Sequence, residues 1–213
     1  MRLIIFGPQG AGKGTQTARL VEKYDVPAIA TGEIFRVAIK DPDNERGGRV
    51  REYVHEGKLV PDELTIQVVL DRLDKDDAKD GFLLDGFPRN VGQAEALDEF
   101  LAKRGTALDA ALVIEVPEEV SLARILGRRV CTRCGRNYSV GVPPKSDWTC
   151  DACGGQVVGR DDDQEESTVR ERLRLYHEQT EPLKSYYNER GVLQQIDGTA
   201  SPDDVFSRIV ASL

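Results

Sequence analysis

The sequence predicts an α/β fold built on a parallel sheet. Three observations predict it. Short apolar runs alternate with amphipathic helical patterns along the 213 residues. The first run passes through a glycine-rich loop directly into a helix. A single stretch, Val130 to Glu166, breaks the alternation and reads as an inserted module. The length fits one domain with an insertion and suffices for a sizeable core.

Taken in order, Arg2-Leu-Ile-Ile-Phe6 is an apolar run ended by Gly7, the pattern of a buried strand. A helix is expected from Lys13 to Lys23, then a weaker strand over Val26–Ala30. Thr31 suits the N-cap of a helix carrying Ile34, Phe35 and Ala38. Asp41–Gly48 is polar and turn-rich; helical patterns resume at Arg49–His55 and Asp62–Leu73, with Pro61 fitting the first turn of the latter. Gly81–Leu84 is a second buried strand and ends at Asp85, and a helix follows from Val91 to Lys103. Ala110–Ile114 is a strand, and Pro117-Glu-Glu opens a helix expected to run to Arg129, with acids first and arginines last as the helix dipole favours. Beyond the inserted module, Thr168–Arg190 reads as one long helix, Val192–Ile196 as a last strand, and Ser201-Pro202 as the cap and first residue of a final helix.

Composition narrows the function. The net charge is −8, from 29 basic and 37 acidic residues. That opposes broad nucleic-acid or anionic-membrane binding, which calls for a basic excess. No apolar run approaches the ~18 residues of a membrane span. The apolar start, interrupted at Gly7 and Pro8, is too short for a signal peptide, so a cytoplasmic, reducing setting is expected.

In that setting the four cysteines are read as metal ligands. Cys131-x2-Cys134 and Cys150-x2-Cys153 are separated by 15 residues. Four thiolates at that spacing close a tetrahedral zinc site. Gly135 and Gly154-Gly155 follow each pair and permit tight turns around the ion. Four cysteines leave no open ligand position, so one structural zinc per chain is expected, with an iron–sulfur centre, another metal, free thiols or disulfides as the alternatives. His55 and His177 are distant in sequence and read as ordinary polar residues.

The chemistry concentrates in two loops. Gly7-Pro-Gln-Gly-Ala-Gly-Lys-Gly-Thr15 stands between a strand and a helix, as a phosphate-binding loop must. Its glycines let successive N–H groups curl around phosphate oxygens, the helix adds its positive end, and Lys13 adds a point charge. Asp85-Gly-Phe-Pro-Arg-Asn90 follows the second buried strand. Alone it is a tight turn; beside the first loop, Asp85 can hold the water shell of Mg²⁺ and Arg89 can clamp a phosphate.

A GTPase or motor ATPase carries a hydroxyl directly after the lysine. Here residue 14 is Gly and the hydroxyl comes at Thr15. G-K-G-T instead resembles the nucleoside monophosphate kinases, above all the adenylate kinases. Thr31–Arg36, Gly57–Val60, Asp85–Arg89, Gln93, Arg124–Arg129, Arg160–Glu166 and Arg172-Leu173 share that resemblance in order and spacing over essentially the whole chain, and match the long-lid form.

The resemblance implies a five-stranded parallel sheet flanked by helices. The core would be residues 1–129 and 167–213, with an AMP-binding insertion over 31–60 and a mobile lid over 130–166. It implies the reaction ATP + AMP ⇌ 2 ADP with Mg²⁺ on the nucleotide, in a monomer without nucleic-acid or membrane partners. It places Gly10, Ala11, Gly12, Lys13, Gly14 and Thr15 around the ATP phosphates. Arg124 and Arg128, from the helix before the lid, join the ATP side, with Asn137, Tyr138 and the backbone of Ala200 at its nucleoside. AMP would meet Thr31, Arg36, Lys58, Leu59, Val60, Gly86, Phe87, Pro88, Arg89 and Gln93. The Gln93 amide can pair with an adenine ring nitrogen and the exocyclic amine. Arg160 and Arg172 would clamp phosphates on closure, held by Asp162 and Asp163. Lys13, Arg36, Arg89, Arg124, Arg128, Arg160 and Arg172 then form a ring of cations, the equipment phosphoryl transfer needs, with all but Arg36 expected to be catalytic.

Three departures stand out. Gln9 replaces a proline common in this loop, Ser167 adds a residue ahead of the lid arginines so that Arg170 competes with Arg172 for register, and Ala200 stands where some relatives have Lys. Two other readings are a UMP/CMP-type kinase and a zinc-ribbon nucleic-acid-binding ATPase. Thr31, Gln93 and the long lid oppose the first; the acidic balance opposes the second.

Overall fold

A computed structural model describes residues 1–32, 34–35, 50, 53, 60–159, 163 and 165–213. Its main sheet is parallel, with strands β1 (Arg2–Phe6), β2 (Ala28–Ala30), β3 (Phe82–Asp85), β4 (Ala110–Glu115) and β8 (Leu193–Asp197) in the order β2-β3-β1-β4-β8. The period of two along each strand sends alternate side chains to opposite faces. Ile4, Phe6, Leu84, Ala111 and Val113 join one buried cluster. Leu3, Ile5, Leu83, Leu112 and Ile114 join the other. Both faces are apolar, so both must be covered by helices. Helices α2 (Asp62–Leu73) and α3 (Val91–Ala102) contribute Val69, Leu73, Ala94 and Leu97 to the first cluster. Helix α1 (Lys13–Tyr24) and the C-terminal helix α7 (Pro202–Ser212) contribute Leu20, Val205 and Ile209 to the second.

β1 lies centrally, and the chain continues to β3 on one side of it and to β4 on the other. That reversal opens a crevice at the carboxyl ends of the strands, the usual ligand position in such sheets. The loop after β1 enters it. Gly7 sits at φ 142, and a Cβ there would come within 2.3 Å of the Ile114 carbonyl oxygen. Only glycine lets the chain leave β1 so close to β4. α7 begins as expected, with Ser201 Oγ accepting from the Asp204 N–H.

Two expectations are corrected. Helix α4 (Glu118–Leu126) stops short of Arg129, and Arg128–Cys131 forms strand β5. Arg128 therefore lies on a strand and not on the helix before the lid. β5 is the centre of a second, antiparallel sheet with β6 (Asn137–Ser139) and β7 (Val157–Gly159), in the order β6-β5-β7. Pairing on both edges outweighs continuing the helix past Gly127, and the Arg129 guanidinium donates to the Leu126 carbonyl left at the helix end. The expected long helix Thr168–Arg190 is α5 (Glu166–Leu175), a wider π-helical turn over Tyr176–Thr180, and α6 (Leu183–Glu189). Pro182 has no N–H and cannot sit inside a regular helix. The chain absorbs it with an i to i−5 bond from the Glu181 N–H to the Tyr176 carbonyl.

Smaller shifts concern Pro61, which precedes α2 at its cap position, and Thr31, which is itself helical and buried. Of the helix expected over Arg49–His55, Val50 and Tyr53 are helical; the remainder lies outside the described residues, as does most of the predicted insertion at 31–60. Among the described residues, no helix is long and apolar enough to cross a membrane.

Candidate functional site

The loop after β1 borders a cleft of about 690 Å³ lined by Gly10–Gln16, Asp85, Arg124, Arg128, Arg136, Asn137, Tyr138, Ala200 and neighbouring residues. The structure thus gathers in one place every described residue expected on the ATP side. Gly12 stands at φ 97 as the N-cap of α1, which aims the first N–H groups of that helix into the cleft. Gly10 is required for packing, since a Cβ there would lie 2.7 Å from the Ser121 carbonyl oxygen.

Lys13 donates from Nζ to the carbonyls of Gly7 and Pro8, both at 2.9 Å. Removal from water lowers its pKa from 10.5 to about 8, opposed by the Asp85 carboxylate and assisted by Arg89 and Arg128. Asp85, at the end of β3, is pushed up by burial, with Lys13 and Arg89 pulling it back. Arg124 donates to the Gly198 carbonyl at 3.0 Å.

Asp163 links the cleft residues Gln9 and Arg128 to Arg172. It is 3% exposed. It accepts from Arg128 Nε at 2.7 Å and Nη2 at 2.9 Å, from Arg172 Nη1 at 3.4 Å and from Gln9 Nε2 at 2.9 Å. A buried carboxylate is tolerated when it is paired this fully. Arg172 faces Asp163, while Arg170 makes exposed ion pairs with Glu118 and Glu166.

A second set forms around the loop after β3. A Cβ on Gly86 would lie 3.5 Å from Arg89 Nη2 and 3.6 Å from Thr31 Oγ1, so these three residues meet. The Thr31 hydroxyl is buried and without a hydrogen-bond partner among the described residues. Phe87 and Pro88 are buried, and Val60 packs on Val50, Leu64 and Val68. Gln93 is 3% exposed at the start of α3, whose N-cap Asn90 accepts from the Gln93 N–H at 2.9 Å. Arg36, Lys58, Leu59, Arg160 and Asp162 lie outside the described residues.

The four cysteine sulfurs lie within 4.8 Å of one another, with Cys131–Cys153 at 3.5 Å and Cys134–Cys150 at 3.6 Å. A tetrahedral ion with metal–sulfur bonds of ~2.3 Å spaces its sulfurs by ~3.8 Å, so the four thiols fit such an ion. Gly155 makes the cluster possible, since a Cβ there would approach Cys131 Sγ to 2.9 Å. None of the cysteines lines the cleft, but the Tyr138 hydroxyl, which belongs to a cleft residue, donates to Cys150 Sγ at 3.3 Å and accepts from the Asp151 N–H at 2.8 Å.

The family model for adenylate kinase matches residues 5–192. The chain belongs to the adenylate kinase family. It is 52% identical to an adenylate kinase of Clostridium botulinum (strain 657 / Type Ba4) over 98% of this chain and 96% of the relative. It is 51% identical to one of Finegoldia magna over 100% and 99%, and 48% identical to one of Lachnoclostridium phytofermentans over 100% and 98%. The parallel sheet flanked by helices is the fold expected of adenylate kinases. Several contributors escaped the sequence reading of this adenylate kinase family member: the Gln9 side chain, Arg136, and the partners of the Gln93 amide. Gln9 carried one signal, its departure from the usual proline; Asp62 carried none beyond its place in a helix's first turn.

Proposed function

We propose that this chain catalyses the reversible transfer of the terminal phosphoryl group of Mg-ATP to AMP, giving two ADP, and that it does so with the residues gathered around the cleft. The observation carrying the reading is that the phosphate loop with Lys13, Asp85, Arg124 and Arg128 lines one cleft. The backbone of Gly10, Ala11, Gly12, Gly14 and Thr15 cradles the ATP phosphates. Lys13, Arg124 and Arg128 balance the charge that spreads over the phosphoryl oxygens in the transition state. Asp85 holds the water shell of the substrate's Mg²⁺. Asn137, Tyr138 and Ala200 cover the nucleoside. Thr31, Arg36, Lys58, Leu59, Val60, Gly86, Phe87, Pro88, Arg89 and Gln93 take AMP, and Arg160 and Arg172 close over the phosphates. No general base is needed, because the nucleophile is already an AMP phosphate oxygen.

The lid over 130–166 moves on the core of 1–129 and 167–213, excluding water so that ATP is not hydrolysed. Its ion is one structural zinc held by Cys131, Cys134, Cys150 and Cys153; a Cys₄ set supplies a cross-link in place of a core. The enzyme acts as a cytoplasmic monomer; cysteines clustered at metal-ligand distance suit a reducing compartment. Side-by-side turnover of ATP with AMP, UMP, CMP and GMP tests the activity. AMP is expected to lead by a wide margin, and comparable kcat/KM for UMP or CMP would move the chain to the pyrimidine-nucleotide kinases.

A further inference from the structure

The side-chain amide of Gln93 is engaged before any nucleotide arrives. Its Nε2 donates to Asp62 Oδ1 at 2.6 Å, and its Oε1 accepts from the Arg89 N–H at 2.8 Å. Asp62 is anchored in turn, since its Oδ2 accepts from Asn90 Nδ2 at 2.7 Å and Asn90 Oδ1 caps Gln93. The three side chains form a closed ring joining the first turn of α2 to the first turn of α3.

We infer that Asp62 is a positioning residue that sets base selectivity by fixing which way round the Gln93 carboxamide stands. This rests on the proposal that Gln93 meets the AMP base. The chemistry of the two partners decides the orientation. A carboxylate can only accept and a backbone N–H can only donate. Turning the amide by 180° would set oxygen against carboxylate and NH₂ against N–H, losing both bonds in a buried position. A carboxamide has two donors and an oxygen with two lone pairs; one of each is used, leaving one N–H and one lone pair for a ligand.

That remaining pair is polar in one sense only. Adenine offers a ring-nitrogen acceptor beside an amino donor on its N1 edge. A 6-oxo purine offers the reverse, an N–H beside a carbonyl. A freely turning amide serves both bases, whereas one held by Asp62 and Arg89 serves one. Discrimination by hydrogen bonding is strong when the site cannot rearrange to satisfy the wrong ligand. Asp62 lies at the surface, so its replacement leaves the core untouched.

The test compares Asp62→Ala, Asp62→Asn and Gln93→Leu with the parent enzyme, using ATP as donor and AMP or inosine monophosphate as acceptor, with thermal midpoints recorded for each. In Asp62→Ala the preference for AMP over inosine monophosphate should fall about tenfold, the ratio that loss of one net hydrogen bond produces. The fall should come through the acceptor KM values while the KM for ATP holds. Asp62→Asn, whose own amide can turn to follow Gln93, should fall between, and it carries the test if the alanine variant does not fold. An unchanged preference in the folded Asp62 variants overturns the inference, as does a parallel rise in both substrates' KM. If Gln93→Leu erodes the preference and the Asp62 variants do not, the inference alone fails. If Gln93→Leu also leaves it intact, the placement of Gln93 at the base fails.

Discussion

Gln9 and Asp163 are joined directly, Nε2 to Oδ1 at 2.9 Å, across 154 residues of sequence. One belongs to the phosphate loop and the other to the segment that leads from the second sheet back into α5. The bond ties the loop to the carboxylate that also holds Arg128 and Arg172. Gln9 is secured at its other end, where its carbonyl accepts from the Ser121 hydroxyl. A proline at position 9 could make neither the side-chain bond nor any substitute for it.

The first prediction separates the two partners. Gln9→Ala removes one neutral donor from a carboxylate that retains two guanidinium groups, so it should lower stability by about 1.5–3 kcal/mol. Asp163→Ala leaves Arg128 and Arg172 facing each other without their anion, and should cost about 3–5 kcal/mol, with a raised KM for ATP. Denaturant midpoints and ATP kinetics measure both. Equal effects would show that Asp163 does not organise the arginines.

A second prediction uses the contrast between neighbouring arginines. Arg170 makes exposed pairs with Glu118 and Glu166, and such pairs contribute about 0–1 kcal/mol. Arg172 points to Asp163 beside Arg128. Arg170→Ala should therefore turn over much like the parent enzyme, whereas Arg172→Ala should lose about a hundredfold or more in kcat. The opposite ranking would reassign the clamp.

Much of this was legible in the sequence because its signals are local. Leu3-Ile-Ile-Phe6 closed by Gly7, and Phe82-Leu-Leu84 closed by Asp85, read as buried strands without knowledge of their partners, and they are β1 and β3. The cysteines were legible for the same reason, since ligand spacing is written within 23 residues. Arg128 was misplaced because the run Gly127–Cys131 has no period of its own; it becomes a strand by pairing with β6 and β7. The break at Tyr176–Thr180 was announced only by Pro182, and the Thr180 hydroxyl that donates to the Arg89 carbonyl gives no sequence signal. Asp62 gave no signal beyond opening the Asp62–Leu73 helix, because its amide partner is 31 residues away.

A third prediction follows from the lowered pKa of Lys13. In the unfolded chain this lysine keeps its proton up to 10.5, while in the folded protein it releases it near 8. Between these values the unfolded state binds more protons, so this group's contribution to stability rises with pH there; below 8 the full penalty of the buried charge is present. A bound phosphate restores the charged form. Above pH 8 nucleotide binding should then draw a proton from solvent, and ATP affinity should weaken as pH rises. Calorimetry across pH 7 to about 9.5, in buffers of different ionisation enthalpy, reads both effects. Lys13→Arg, charged throughout, should flatten the dependence, and Lys13→Met should fold yet lose about a hundredfold or more in kcat. A flat profile in the parent enzyme would show that burial does not lower the Lys13 pKa.

The last prediction concerns the cysteine cluster. The second sheet has little to hold it: Cys131, Cys150 and Val157 are its buried apolar cluster, with Tyr138, Trp148 and Cys153 against them. Two of those three buried residues are themselves ligand candidates, so the core and the metal site are one object. Binding of an ion is then local folding energy. Elemental analysis should find one zinc per chain. Replacing Cys150 and Cys153 together with Ser should abolish it and lower the thermal midpoint. Activity should persist at temperatures where the second sheet still folds, because none of the four cysteines lines the cleft. The KM for ATP should rise more than that for AMP, since Tyr138 is a cleft residue anchored on Cys150 Sγ and the Asp151 N–H. Zinc retained in the double variant would refute the ligand set. Complete loss of activity in a protein still fully folded at low temperature would refute a purely structural ion.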